Sequence, residues 1–195
     1  MNSKFRSFKN EYCKCDPYKC AMEKKLSSKD SLSKSMLLSY NTGNGVCVSS
    51  NTPTPITLVS TTIDTTCLCE PIIKIDFNSI INYQAVISDA LEINPFALTF
   101  ELSKYDINGT KISLGSWAYS TGLLSASLNI TNSFNFTYSE FNTHSGCYTY
   151  TVDIIKITDT ILFGEDSSIT EKISIINSNI SVLASSSKLN NLKNL

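Results

Sequence analysis

The sequence predicts an all-β fold: a jelly-roll type two-sheet β-sandwich preceded by a flexible, cysteine-bearing N-terminal arm. From Ile56 onward β-branched and aromatic residues alternate with Ser, Thr and Asn, which marks strands with one buried and one wet face. The segments between these runs are short and carry turn residues. Ahead of them, Cys13, Cys15 and Cys20 crowd into a lysine-rich stretch whose apolar residues form no stripe of period 3.6.

Residues 1–40 read as the arm and residues 41–55 as a linker, because Asn41, Gly43, Gly45, Asn51, Pro53 and Pro55 are turn and breaker residues. Cys47 lies inside that linker. The sandwich follows over residues 56–185, with 186–195 as a tail. Its strands are expected at 56–63, 72–77 and 80–87, then at 96–102, where Phe96, Leu98, Phe100 and Leu102 alternate cleanly. Residues 106–109 should reverse the chain, since Asn108 and Gly109 tolerate the positive φ of a tight hairpin. Next, Ile112 and Leu114 share one parity and Trp117 and Tyr119 the other, and a bulge at Gly115 would return all four to the core. Phe134, Phe136 and Tyr138 form another apolar face, as do Tyr148, Tyr150, Val152 and Ile154; Ile173, Ile175, Ile180 and Val182 close the set. About eight strands suit a jelly roll.

A chain of 195 residues with 42% hydrophobic content can build one domain with a core, plus a tail. Its net charge of −1 conceals an asymmetry. Residues 1–35 carry nine Lys or Arg against four Asp or Glu, so the arm is about +5 and the remainder about −6. The two parts should attract each other within or between molecules. No run approaches the roughly 20 apolar residues of a membrane span, and residues 1–10 lack the apolar stretch of a secretory signal. The expectation is synthesis in a cytoplasm.

Seven cysteines are many for a reducing compartment, and an odd number leaves one without an internal partner. Oxidation after the producing cell opens would account for both. If Cys67 and Cys69 lie on an extended segment, they point to one face about 6.5 to 7 Å apart. That exceeds what a disulfide spans, so each would seek a thiol elsewhere. The same reasoning covers Cys13 and Cys15. Three arm cysteines (13, 15, 20) thus stand against three body cysteines (67, 69, 147), with Cys47 unassigned. Pairing within one molecule would staple the arm down, and its modest loop cost does not forbid it; pairing between molecules, the reading carried forward, would build a polymer.

Other chemistries find little footing. His144 is the single histidine, and although Cys147 lies three residues away, no orienting carboxylate or oxyanion donor accompanies the pair. No catalytic residue is assigned. The C-x-C pairs offer thiolates to zinc or copper, but structural zinc favours C-x2-C knuckles, so no metal or other cofactor is expected. The sequons at Asn108, Asn129, Asn135 and Asn179 follow from an Asn- and Ser-rich composition.

Several motifs together resemble an uncharacterised cysteine-rich family of clostridial spore-formers, a domain of unknown function. They are residues 65–71 (TTCLCEP), 74–77 (KIDF), Ile80-Ile81-Asn82, Gly115-Ser116-Trp117 and 142–153 (NTHSGCYTYTVD). In the last motif the family carries further cysteines where this chain has Ser139, Phe141, His144 and Tyr148. A short cysteine-bearing connector before a jelly roll is also similar to the subunits of bacterial endospore appendages, by architecture rather than by aligned residues. Those resemblances imply a self-assembling structural protein of the spore surface, in an appendage, exosporium or coat. Made in the mother cell, it would be cross-linked between arm and neighbouring bodies through Cys13, Cys15, Cys20, Cys67, Cys69 and Cys147, and propagate through a heterologous interface. Its expected partner is itself, alongside other spore-surface proteins, and neither nucleic acid nor a membrane interior. The alternative is a carbohydrate-binding jelly roll, with Tyr83, Tyr105 and Phe141 as stacking aromatics, and behind it a thiolate metal-binding protein.

Overall fold

Strict alternation of buried and exposed residues runs from Pro71 to Ser88, and the chain there forms one long strand with its apolar face inward. In the computed structural model the described residues are 36–186, apart from 69, 89–91, 95, 123–126, 142–143 and 164–167. They contain β1 (Met36–Thr42), β2 (Val46–Val48), β3 (Ile56–Asp64), β4 (Pro71–Ser88), β5 (Glu92–Asn94), β6 (Ala97–Tyr105), β7 (Lys111–Ser120), β8 (Ser127–Glu140), β9 (Cys147–Thr158), β10 (Ile161–Phe163) and β11 (Ser168–Ser186). One sheet has the order β1-β11-β4-β8, with β2 also on β11; the other has the order β3-β9-β6-β7; β5 and β10 form a small ribbon. All pairs are antiparallel. Numbered among themselves, the eight long strands run first-eighth-third-sixth in one sheet and second-seventh-fourth-fifth in the other. Connections therefore cross repeatedly between sheets, as in a jelly roll.

The two inner faces meet in an aromatic core. Phe77 of one sheet lies 6.2 Å from Phe100 of the other, and Phe100 stacks on Phe134 at 4.4 Å. Trp117 stacks on Phe136 at 3.9 Å, joining the β7 and β8 edges. Such pairs add about 0.5–1.5 kcal/mol each beyond their buried area. A tyrosine and a glutamate close each end. At one end the Tyr150 hydroxyl donates to Glu140 Oε2 at 2.7 Å, and Lys104 pairs with Glu140 Oε1 at 2.7 Å. At the other, the Tyr83 hydroxyl donates to Glu171 Oε2 at 2.9 Å while its ring stacks on Phe96 at 4.7 Å. Burial pushes the Tyr83 hydroxyl up to about 12 and raises that of Tyr150 as well.

Several expectations change. Residues 72–77 and 80–87 are one strand, not two, because Ser79, buried in mid-strand, is satisfied by a hydrogen bond with Ser178 at 3.0 Å. The boundary at 40 falls inside a strand and the linker holds another: Met36–Thr42 pairs along its length with β11, and Val46–Val48 pairs further along the same strand. The sequence hid β1 because its inward face meets an edge and not the core. Leu37 packs on the core, but Ser39 and Asn41 donate to the carbonyl oxygens of Thr62 and Ser60 on β3, at 2.8 and 2.7 Å. The bulge expected at Gly115 falls one residue earlier. Leu102 faces Gly115 and Ser103 faces Ser113, leaving Leu114 as the extra residue. Leu114, Trp117 and Tyr119 pack on the core, whereas Ile112 stays exposed. The reversal after Tyr105 is a three-residue loop with Gly109 alone at positive φ (79°), its Asp106 carboxylate accepting from the Asn108 and Thr110 amides.

Candidate functional site

Two turns meet at the end of the sandwich where β3 passes into β4 and β8 into β9. The first is fixed by Asp64, whose Oδ1 accepts from the Thr66 amide at 3.0 Å and the Thr66 hydroxyl at 2.7 Å. Leu68 N then donates to Thr65 O at 2.9 Å, and Leu68, 2% exposed, plugs the core beneath. Thr65 is fully buried and binds the second turn three times: its amide donates to Gly146 O at 2.7 Å, its hydroxyl donates to the same oxygen at 2.8 Å, and that hydroxyl accepts from the Gly146 amide at 3.1 Å. Ser145 Oγ donates to Leu68 O. With Leu68 held inward, Cys67 is exposed on the turn. The expectation of an extended Cys67 segment is thereby corrected, since the Asx geometry of Asp64 bends the chain and Glu70 adopts a positive φ of 50°.

Cys147 opens β9 opposite Asp64 and is disulfide-bonded within this single chain. Of the six candidates for links between molecules, Cys147 is therefore already committed at home, and it offers His144 no thiol. Cys13, Cys15, Cys20 and Cys69 lie outside the described residues. Cys47 is an exposed thiol on β2, 3.4 Å from the Ser174 hydroxyl. His144 is exposed, and its carbonyl accepts from the Tyr148 hydroxyl at 2.9 Å. Among the described residues no three His, Cys, Asp or Glu side chains converge as metal ligands, and no helix is long and apolar enough to cross a membrane.

Beneath the turns lies the Lys104–Glu140 pair, with side-chain exposures of 12% and 11%, and Lys104 sits 4.7 Å over the Tyr148 ring. Because Lys104 belongs to one sheet and Glu140 to the other, the pair bolts the sheets together under the two turns. Breaking such a buried pair typically costs 3–5 kcal/mol.

The surface around this end is apolar to a degree that sequence reading did not reveal. Met36, Leu38 and Tyr40 are 60%, 68% and 74% exposed on alternate positions of edge strand β1. Register places Met36 beside Ser185 and Ser185 beside Ile72, while Phe141, 69% exposed, directly follows Glu140, which faces Ile73. Ile107 and Ile112, also exposed, flank the β6–β7 reversal at the same end. Six of the ten exposed large hydrophobics in the described residues thus gather at the end that bears Cys67 and Cys147. In the sequence, Met36-Leu37-Leu38 is a short apolar run without alternation that marks no strand. Further along, the outer face of the same sheet mixes exposed Val86 and Ile176 with polar pairs, in which Asn179 donates to Asn78 at 3.0 Å, Asn82 to Thr131 at 2.8 Å and Thr137 to Asp76 at 2.6 Å. Of the aromatics proposed for stacking on sugars, Tyr83 is fully buried against Phe96; Tyr105 is partly buried and Phe141 exposed.

Residues 34–185 match the family described as a domain of unknown function, DUF4489. No curated protein matches. Among solved structures, the Eiger TNF of S. frugiperda is 14% identical, with 76% of this chain and 91% of that one covered and a TM-score of 0.41. A structure of infectious bursal disease virus, Gt strain, is 13% identical over 83% of this chain and 38% of its own, with a TM-score of 0.38. The VP2 subviral particle of the same virus is 15% identical over 79% and 38%, with a TM-score of 0.30.

Proposed function

We propose, for a chain that belongs to the DUF4489 family of unknown function, the role of a self-assembling structural protein of the bacterial spore surface. Disulfides between the N-terminal arm and neighbouring sandwich bodies make the assembly permanent. One observation carries this reading: the thiols divide between a polar, basic arm and a rigid β body. Three lie in an arm of about +5 that precedes the sandwich, and exposed thiols Cys47 and Cys67 sit on a body of about −6. Cys69 and Cys147 are sequence neighbours of the turns described above, with Cys147 engaged inside its own chain. Cys67, exposed on its turn, remains one of the body positions in this reading.

Chain reach allows this. Cys20 stands 16 residues ahead of Met36, and an extended chain spans about 3.3–3.6 Å per residue, so an arm thiol reaches roughly 50 Å beyond the start of β1. A disulfide restricts the unfolded chain by about 2–4 kcal/mol, but between subunits its larger effect is that separation requires breaking a covalent bond. A spore-surface layer that must survive heat and dilution uses that property.

The test is electrophoresis of oxidised full-length chain with and without reductant, followed by mapping of bridges by mass spectrometry. A ladder that reductant collapses, and that vanishes when Cys13, Cys15 and Cys20 are all changed to Ser, is the expected result. Monomer in every lane overturns the proposal. A carbohydrate-binding role retains only Phe141 and Tyr105 of its three aromatics, and glycan binding by a monomeric body would favour it.

A further inference from the structure

We propose that β8 is a docking edge for β8 of a second copy. The two strands pair antiparallel about a two-fold axis at Ser133 and join two sheets into one.

The edges of the two sheets are not alike. An edge strand carries a row of unpaired amides and carbonyls, and folded proteins shield it with covering groups, bulges, breaks, charges or proline. On β3, the carbonyls of Thr62 and Ser60 accept from Ser39 and Asn41, and Gly43 lies against that of Leu58. The β1–β2 edge is interrupted after Thr42, which leaves strands of seven and three residues. β7 starts at Lys111 and bulges at Leu114. β8 has none of these devices. Its 14 residues pair with β4 in unbroken register, and residues 127–139 include no charged residue, glycine or proline. Glu140, its single charge, is engaged by Lys104 and Tyr150. Among the described residues nothing pairs with the other edge of β8.

The inner row of this strand lacks a neighbour too. Leu128, Ile130, Phe134 and Tyr138 stay half-buried, whereas Ile73, Ile75, Phe77 and Ile81 on β4 beside them are buried. One more strand beyond β8 would close the backbone row and the side-chain row together.

The strand itself selects its occupant. Its outer row, Asn129, Thr131, Ser133, Asn135, Thr137 and Ser139, offers no charge by which to choose a foreign sequence. A second β8 matches it on both faces. Centred on Ser133, the pairing sets Thr131 opposite Asn135 and Asn129 opposite Thr137, repeating the hydroxyl-to-amide contact that Thr131 already makes with Asn82 at 2.8 Å. On the inner face it sets Ile130 opposite Phe136, an aromatic and β-branched pair of the kind that stabilises sheets. No like charges meet, because Glu140 falls beyond the overlap. A slip of one residue would set polar faces against apolar ones. Antiparallel pairing is also the mode of every pair in this fold. A strand that meets its own copy makes an isologous contact, which closes at two. This contact goes beyond the proposed function and involves none of its thiols.

The test uses full-length chain whose free thiols are blocked with N-ethylmaleimide, examined by light scattering after gel filtration at micromolar concentration. A particle of twice the chain mass, and none larger, is expected. Ser133→Lys with Asn135→Lys, both at exposed positions, brings ammonium groups together at the axis. It should raise the dissociation constant at least tenfold while the far-ultraviolet circular dichroism stays that of the parent. Ala118→Lys, exposed on the shielded β7 edge, should leave the dimer intact. Hydrogen exchange gives a second reading on the unsubstituted chain: outward-pointing β8 amides should exchange at least tenfold more slowly in the dimer than after dilution to monomer. Monomer throughout, a dimer that ignores the β8 lysines, a dimer lost in Ala118→Lys, or β8 amides that exchange alike in both states overturns the inference. A thiol-blocked dimer with no reductant-sensitive ladder in the unblocked chain overturns the proposed function alone. A ladder without that dimer overturns this contact alone.

Discussion

Gly43 shows how much a single side chain can decide. Its amide donates to Ser178 O at 2.7 Å, and a Cβ placed there would lie 1.9 Å from Leu58 O. Three irregularities converge at this point: the break between β1 and β2, the β3 bulge around Leu58, and the β11 bulge where Asn177 takes a φ of 53°. None can move without the others. Gly43→Ala should cost about 1–3 kcal/mol in chemical denaturation, whereas Gly122→Ala, with nothing within 4 Å, should change stability by less than about 0.5 kcal/mol. A second residue-scale device lies on the outer face of the β3-β9-β6-β7 sheet. Glu101 and Asp153 face each other across strands, a repulsive arrangement that Lys111 resolves at 2.8 Å from the first and 3.6 Å from the second. The Lys111 ammonium is the main cause holding the Glu101 carboxyl below its usual range, with Ser113 and Ser103 assisting. A carboxylate so held stabilises the fold above its unfolded value, near 4.5, and loses that stabilisation as pH falls through the lower folded one. Lys111→Met should therefore begin acid unfolding at a higher pH than the parent, read by circular dichroism across a titration. Coincident acid limbs would show that the pair contributes nothing.

At the scale of elements, β11 carries the most. It pairs with β4 over nearly its whole length on one edge, and with β1 and then β2 on the other. A chain beginning at residue 34 should fold and melt cooperatively. One beginning at residue 56, where the sequence seemed to start the sandwich, leaves a β11 edge of bare amides and carbonyls and should aggregate or melt without cooperativity in a calorimetric scan. A cooperative melt of the shorter chain would show that β1 and β2 are dispensable. That contrast also shows what could be read in advance. Alternation is a record of burial on one face, so Phe96, Leu98, Phe100 and Leu102 announced their strand, and Tyr148 to Ile154 theirs. β1 left no such record, because Ser39 and Asn41 face the carbonyls of β3. The expected number of long strands agreed with the observed one only because two readings offset each other: β4 was divided at Ser79 and β1 was missed. At the candidate site, the positions of the cysteines in sequence said nothing of the Asx turn that exposes Cys67 or of the bond that occupies Cys147. That turn is in addition anchored by Thr65 on Gly146, 81 residues along the chain, a pairing that no local pattern announces.

The whole molecule is polar. One end gathers the arm root, the paired turns, the Lys104–Glu140 bolt and most of the exposed apolar side chains; the other holds Tyr83, Glu171 and the small β5–β10 ribbon. Timing follows from the same topology. Met36 is held by Ser185, so β1 cannot be secured until β11, far along the chain, has been synthesised. Until then the nascent chain has thiols but no finished surface to present them to. Under the proposed role, each subunit completes its own sheet before its thiols have a finished neighbour to meet.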